Sequence, residues 1–332
     1  MKRFLPIVAA SLCLVSCHRI PLYDPSGNIL LQLDLKLAAE VSVSADIDLD
    51  AHPEFRGKVE MPKPSDVRVC FYDTQTHRLV AEDFLPADGG FISVPGGTYD
   101  VLVYSLGDAA TQVTGTEARG TAYAFTNPEG TKVKVGTKSG TDGEASSEYE
   151  VIYEPDHLLV GRMEQLVIPS VGTIDRTVVI ESALESLLET YTFEIPAVIG
   201  AENIKDVDIY ITGQASGRYL WDKRYPSRPC ALHLPAVVDR QQGTLYTVFN
   251  TFGKFPGLES EVFLHVQVTG EHGGLYQWTF DVTDPFNNPD NTGHKIVIEQ
   301  PLEVPDDPEG SGGGFDPTVT DWNVEIIHIE LS

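Results

Sequence analysis

Ile29-Leu30-Leu31-Gln32-Leu33-Asp34-Leu35-Lys36-Leu37 decides how this chain folds. Ile29, Leu31, Leu33, Leu35 and Leu37 fall on one face; Gln32, Asp34 and Lys36 fall on the other. Successive side chains of an extended backbone point to opposite sides, so this alternation predicts a strand with one buried face. The same period recurs downstream. Val262, Leu264, Val266 and Val268 alternate with Glu261, His265 and Gln267. Tyr276, Trp278, Phe280 and Val282 alternate with Gln277, Thr279 and Asp281. The run Tyr99-Asp100-Val101-Leu102-Val103-Tyr104 is apolar on nearly both faces and reads as a central strand. Further strands are expected at 67–72, 131–135, 148–153, 205–211, 244–250, 294–299 and 322–331.

Turn signals separate these runs: Ala87-Asp88-Gly89-Gly90, Pro95-Gly96-Gly97 and Glu271-His272-Gly273-Gly274. Many short strands between Gly- and Pro-rich turns predict an all-β sandwich architecture rather than α/β. One segment breaks the pattern. Ile180, Ala183, Leu184, Leu187 and Leu188 fit a helix face, with Glu181, Glu185 and Glu189 between them. The preceding Thr177-Val178-Val179 favours strand, so 177–189 reads as a strand running into one short helix, or as an irregular crossover. Residues 136–147, 284–293 and 301–317 lack periodicity and read as a flexible loop, a turn-rich excursion and a Gly-rich connection to the last strand. With 332 residues, 42% of them hydrophobic, the chain is long enough for two domains. Pro169 and Gly172 place the boundary near 160–175, dividing the body into 28–165 and 166–332.

The N-terminus carries targeting information. Lys2 and Arg3 precede an apolar run from Phe4 to Val15. That run is too short for a helix crossing roughly 30 Å of hydrocarbon, and has the length of a secretory h-region. Leu14-Val15-Ser16-Cys17 fits the lipobox pattern. The reading is a signal peptide over 1–16, attachment of acyl chains such as palmitate to Cys17, and a tether over 17–27. An ordinary signal peptide with a chance cysteine is the alternative. Removal of 1–16 takes away Lys2 and Arg3 and no acid, moving the net charge from −26 to −28. Such acidity argues against nucleic-acid binding, which needs a basic footprint. It also argues against charge-driven adhesion to anionic lipid, so the acyl chains would hold the protein at the membrane. Cys70 and Cys230 are the other mature cysteines. Two separate buried thiols fit them better than a bridge.

Chemistry-bearing motifs are absent: no Gly-x-Ser-x-Gly elbow, P-loop, Gly-x-Gly-x-x-Gly, His-Glu-x-x-His or Cys-x-x-Cys occurs. His265 and His272 straddle an expected hairpin and read as solvent-facing rather than as metal ligands. Asp46, Asp48 and Asp50 open like a calcium loop, but Ala51 and Gly57 stand where Gly and Glu are required. They read as an acidic strand edge that blocks edge-to-edge pairing. The Asp281–Asp290 cluster offers calcium another geometry. Among 49 acidic residues no glycosidase pair stands out. No cofactor, metal site or catalytic residue is assigned, and no enzyme is expected. Trp278 reads as core. Trp221, beside Tyr219 and Tyr225 in a basic loop, is the exposed candidate for ligand binding.

Cys17-His18-Arg19-Ile20-Pro21-Leu22-Tyr23-Asp24 resembles the mature start of a family of surface lipoproteins from Bacteroides-type bacteria, related to fimbrial anchor and accessory subunits. Pro95-Gly96-Gly97-Thr98-Tyr99-Asp100-Val101, read as a hairpin before a central strand, is similar too. So are Ile211-Thr212-Gly213-Gln214-Ala215 and Asp321-Trp322-Asn323-Val324. The resemblance implies two tandem transthyretin-like Greek-key β-sandwich domains and no enzyme. It implies an outer-membrane lipoprotein, surface-exposed, acting in fimbrial anchoring, assembly or cell adhesion. Its partners would be fimbrial subunits or a host or bacterial surface ligand. Basic His18 and Arg19 follow the cysteine where acids are common in surface-exported relatives, which leaves outward and periplasmic facing both open. Such polymers grow by strand addition to a sheet edge, and the far loops 284–293 and 301–317, with the edge near Trp322, are the expected contact. The alternative function is a lipid-anchored glycan-binding protein of a nutrient-uptake system.

Overall fold

A computed structural model of the protein describes residues 28–37, 49–50, 52–61, 63–105, 110–137, 145–169, 178–256, 262–306 and 326–328. Of these, about 60% are strand and 8% helix, as the all-β expectation requires. The chain begins with β1 (Asn28–Leu37), helix α1 (Arg56–Val59), β2 (Asp66–Asp73), β3 (Leu79–Pro86), β4 (Gly89–Pro95) and β5 (Gly97–Ser105). It continues through β6 (Gln112–Thr114), β7 (Tyr123–Phe125), β8 (Pro128–Thr137), β9 (Ala145–Ile152), β10 (Leu159–Ile168) and β11 (Val178–Ser186). Next come β12 (Glu189–Ile195), β13 (Val198–Ile199), β14 (Ile204–Ala215), β15 (Gly217–Tyr219), β16 (Pro229–Leu234), β17 (Val237–Asp239) and β18 (Thr244–Thr251). The last elements are β19 (Phe263–Gly270), β20 (Leu275–Asp281), α2 (Thr283–Asn287), β21 (Lys295–Val297), β22 (Leu302–Glu303) and β23 (Ile326–His328).

Strand order in the first sheet is β3-β2-β5-β10-β11-β1-β4. Strands β10 and β11 pair only at Leu159–Ser186 and Val160–Glu185, and there the sheet folds back on itself. The leaf β4-β1-β11 thereby covers the leaf β3-β2-β5-β10. Between them lie Leu31 and Leu33, the alternating residues of β1, with Val69, Phe71, Val101, Val103, Ile92 and Ile180. Gly89 makes the close β1–β4 approach: its φ is +100°, and an added Cβ would lie 1.8 Å from the Leu33 carbonyl oxygen.

The second half is a two-layer packing. One layer is β23-β20-β19-β14-β16-β9-β8, the other β17-β18-β12-β21. Ile209, Ile211, Leu264, Val266 and Phe280 of the first layer meet Phe193, Ile195, Leu245, Phe249 and Ile296 of the second. Trp278 packs against this core, as expected.

Three expectations need correction. First, the described residues 178–189 contain no helix. Strand β11 pairs in parallel with β1 from Leu31–Val178 to Leu37–Leu184. Ile180, Ser182 and Leu184 are buried, while Glu181, Ala183 and Glu185 are exposed, which is period two. The helix-like spacing arises because the strand ends in a bend where Leu187 and Leu188 are both buried. Second, Pro95–Gly97 is not a hairpin. β4 pairs with β1, and β5 pairs with β2 and β10, so the turn is a corner between leaves. Third, the strands do not sort at 165/166. The β8–β9 hairpin precedes that point but joins the C-terminal layer, where β9 runs parallel to β16 (Ala231–Val151, Leu232–Ile152). β11 follows it but belongs to the N-terminal sheet. Parallel partners need long crossovers, so they join segments distant in the chain.

The halves share a third core. Cys70, Tyr72, Leu102, Tyr104 and Val160 point away from the first core and are buried against Leu158, Leu187, Leu188, Ala215, Leu220 and Phe252. Strand β5 is therefore covered on both faces, as its sequence predicts. Cys70 and Cys230 are both buried free thiols, and burial pushes the Cys70 thiol up to about 11. A strap over 52–60 adds polar stitching. His52 and Phe55 pack on the Tyr246 ring, with centroids 5.1 and 5.9 Å away. Lys58 Nζ donates to Glu154 Oε2 at 2.5 Å and to the Val248 carbonyl at 3.1 Å. Glu154 Oε1 accepts from the Asn250 backbone N–H at 2.8 Å, and His157 Nε2 donates to the Lys58 carbonyl at 3.0 Å. Burial raises the Glu154 carboxyl above the usual carboxylate range, against the pull of Lys58.

Removing one partner of a buried ion pair leaves the other charge uncompensated. Lys58→Met is therefore expected to cost about 3 kcal/mol, read as a lowered urea midpoint. Lys58→Met with Glu154→Leu should recover most of that loss. Equal destabilisation by the single and double variants would show that the pair does not lock the seam.

Candidate functional site

The residues singled out in the sequence do not converge. Cys17 and the Gly-rich segment 310–314 lie outside the described residues, as do Asp46, Asp48 and Trp322. Asp50 is in a turn rather than a strand edge. His265 and His272 are separated: His265 is buried in β19, whereas His272 is exposed in the β19–β20 turn, 4.0 Å from Asp306. The solvent-facing expectation for His265 is thus corrected. No group of three or more His, Cys, Asp or Glu residues assembles among the described residues.

Trp221 is no open binding platform. Its ring packs against the shared core and lies under the Arg119 guanidinium, 4.6 Å from carbon to ring centroid. Arg119 forms an ion pair with Asp100, a carboxylate only 3% exposed that also accepts from the Gln165 backbone N–H at 3.0 Å. Trp221 therefore shields a buried ion pair. Arg119, Arg218 and Arg224 each stack on an aromatic ring there.

Two features remain as candidate sites. The first is the outer face of β4-β1-β11. Phe91 and Val179 both lie opposite Gln32 in the register, with Leu30 one step along β1. Phe91 is 56% exposed, Val179 53% and Leu30 43%. β4, Gly89-Gly90-Phe91-Ile92-Ser93-Val94-Pro95, is the end strand of its sheet and carries no charge. Charges are the usual guard on such an edge, and β3 at the opposite end has Glu82 and Asp83.

The second is a cavity of about 190 Å³ on the outer face of the β14-β19-β20 layer. Thr131, Lys132 and Val133 of β8 wall it on one side. Tyr210, His265, Gln267, Gln277 and Thr279 come from three adjacent strands. Val266 and Trp278 contribute backbone, since their side chains turn to the core. His265 Nδ1 shares a 2.8 Å hydrogen bond with Thr279 Oγ1, and its buried Nε2 has no protein partner. Burial lowers the imidazole to about 4, so it is neutral at physiological pH. The signal in the sequence was a histidine at an outward position of an alternating strand. The covering β8 strand could not be placed from periodicity.

A depressed histidine value ties stability to pH. Between about 4 and 6.5 the unfolded chain takes up a proton that the folded chain excludes. His265 therefore contributes stability that is present above the unfolded value and lost as pH falls through that window, by at most about 3 kcal/mol. His265→Gln should flatten this part of the stability profile. Parallel wild-type and variant profiles from pH 7 to 4 would refute the assignment.

Comparison with known proteins places the chain. A protein named a putative fimbrium anchoring subunit, from Bacteroides ovatus, is 24% identical over 295 residues, covering 79% of this chain and 83% of the relative. The crystal structure of a putative adhesin from Bacteroides ovatus superposes with a TM-score of 0.60 at 21% identity, covering 90% of this chain and 99% of that one. That likeness establishes a shared fold. The fimbrial anchor protein Mfa2 from Porphyromonas gingivalis is similar at a TM-score of 0.47 and 12% identity, covering 81% and 90%, too distant to support an argument. The resemblance to fimbrial anchor relatives read from the sequence is thus matched by sequence comparison. A family model described as a domain of unknown function, DUF5119, matches residues 43–233, across the 165/166 division and more than half of the chain. The chain, two β packings joined by a shared core, belongs to the DUF5119 family.

Proposed function

We propose that this protein is a non-catalytic, lipid-anchored subunit of the outer membrane that holds or assembles a fimbrial polymer or takes part in adhesion. The observation that carries the reading is the uncharged terminal strand β4 beside the exposed Leu30, Phe91 and Val179. Exposed apolar side chains flanking a sheet edge suit a protein contact, and an unguarded edge suits strand addition. The Bacteroides ovatus relative named as a fimbrium anchoring subunit supports the same role. On this reading the two packings are transthyretin-like Greek-key sandwiches, and a fimbrial subunit contributes the strand beside β4. The sequence points to the far loops 284–293 and 301–317 as the contact; residues 307–317 lie outside the described residues.

Membrane attachment rests on Leu14-Val15-Ser16-Cys17. No helix among the described residues is long and apolar enough to cross a membrane. Cys17 lies eleven residues before β1, so a tether of at most roughly 40 Å keeps the N-terminal leaf near the bilayer, where an anchor would grip the base of its polymer.

Cys17→Ala should release the protein from the outer-membrane fraction. Retention in that fraction at high salt would reject lipid anchoring. Phe91→Lys with Ser93→Lys places two charges on exposed positions of β4. The pair should abolish co-purification of fimbrial subunits while the melting temperature stays within a few degrees of wild type. Undiminished recovery of the subunits would move the contact elsewhere.

A further inference from the structure

The β8–β9 hairpin folds over the outer face of the β14-β19-β20 layer and is held there by little. Its strands pair with each other from Lys132–Glu150 to Thr137–Ala145. Among the described residues its pairing with the rest of the sheet is confined to Ala231–Val151 and Leu232–Ile152. Its apolar contact is a small cluster of Tyr149, Val151, Ala231 and Phe263, with Val133 and Tyr210 at the margin. That cluster is separate from the main C-terminal core. Beside it the 190 Å³ cavity deprives the facing side chains of packing partners. A unit with so few buried contacts opens at a lower free energy than the whole fold.

What the hairpin covers is titratable. His265 lies opposite Tyr210 of β14 and Thr279 of β20 and is 7% exposed. Its one hydrogen bond goes to the neutral Thr279 hydroxyl. The charged groups on the elements around it are all engaged elsewhere or exposed. Asp208, two residues from Tyr210, is held by His233 at 3.0 Å. Asp281, two residues from Thr279, accepts from the Thr283 backbone N–H at 3.1 Å. On the hairpin, Lys132, Glu148 and Glu150 are exposed, and Lys132 pairs with Glu148 at 2.8 Å. An imidazolium under the hairpin would therefore be buried with no acid to meet it. The root of the hairpin responds in the opposite sense. His233 of β16 stands between Asp208 and Glu129 of β8, 3.0 and 3.5 Å away. A proton on His233 strengthens both contacts, so acid holds the root while it loosens the cover over His265.

We propose that the β8–β9 hairpin is a flap that acid opens: His265 takes up a proton only when the hairpin lifts, and the lifted hairpin uncovers Phe263, Tyr149 and Val151 as an apolar contact surface. This goes beyond the anchoring role and does not depend on it, because the flap lies on a different sheet from β4. The closed form excludes the proton down to about pH 4, whereas an imidazole in water titrates near 6.5. Opening is thus favoured about twentyfold more at pH 5 than at pH 7.

The test is amide hydrogen exchange of the purified chain at pH 7 and pH 5, read by mass spectrometry and referred to the unstructured rate at each pH. A two-stranded hairpin lifted off its sheet is marginal, so its amides exchange. Protection of β8 and β9 should fall about twentyfold between the two pH values, while β12 and β18 keep theirs. In His265→Gln, protection of the hairpin should be the same at both. Tyr149→Ala removes the largest side chain of the hairpin's own cluster and leaves the main core untouched. It should lower hairpin protection at both pH values and preserve the acid step. Equal protection of wild type at pH 7 and 5, an acid step that survives His265→Gln, a loss shared equally by β12 and β18, or hairpin protection unmoved by Tyr149→Ala would overturn the proposal.

Discussion

Everything in this fold depends on one constraint: the leaf β3-β2-β5-β10 has two apolar faces. Val101 and Val103 point one way, Leu102 and Tyr104 the other, and all four are buried. One face is satisfied within the N-terminal sheet by β1, β4 and β11. The other can be covered only by residues from elsewhere in the chain, among them Ala215, Leu220 and Phe252. A Leu or Phe side chain there contributes about 1.5–3 kcal/mol when buried. The halves therefore cannot separate without exposing a core.

Polar groups at this seam fix register rather than supply the main stabilisation. Arg162 shows the arrangement: Nε donates to the Leu220 carbonyl at 2.6 Å, and Nη1 meets Glu185 at 2.5 Å. Arg218 reaches the carbonyls of Leu187 and Phe252. Lys58 and Glu154 do the same on the other side of the seam. Such pairs offset their desolvation only in a defined geometry, so they penalise sliding of one half over the other. The aromatic loop around Trp221 belongs to this lock, which is why a residue with the composition of a ligand platform is occupied with structure.

The surfaces left for partners are those the lock does not use. The β4-β1-β11 leaf turns its second face outward, with apolar side chains and an uncharged edge. The C-terminal layer turns its second face towards β8, and the incomplete contact between them leaves a small cavity.

The sequence by itself determined the strands and their faces. Alternation in 29–37, 262–268 and 276–282, and burial of both faces in 99–104, follow from the two-residue period of an extended backbone. The expectation of export and acylation drawn from Lys2, Arg3 and Leu14–Cys17 is equally local and needs no fold to be read. Tertiary structure alone decided which strands pair. Period two says which way a side chain points and nothing about its neighbour, so β11 beside β1 and β9 beside β16 were invisible. A bend after Ser186 gave Leu184, Leu187 and Leu188 a helical spacing. The same limit hid the roles of Trp221 and His265. One is covered by Arg119 and the other by β8, each brought there by long-range pairing that local residue chemistry does not encode.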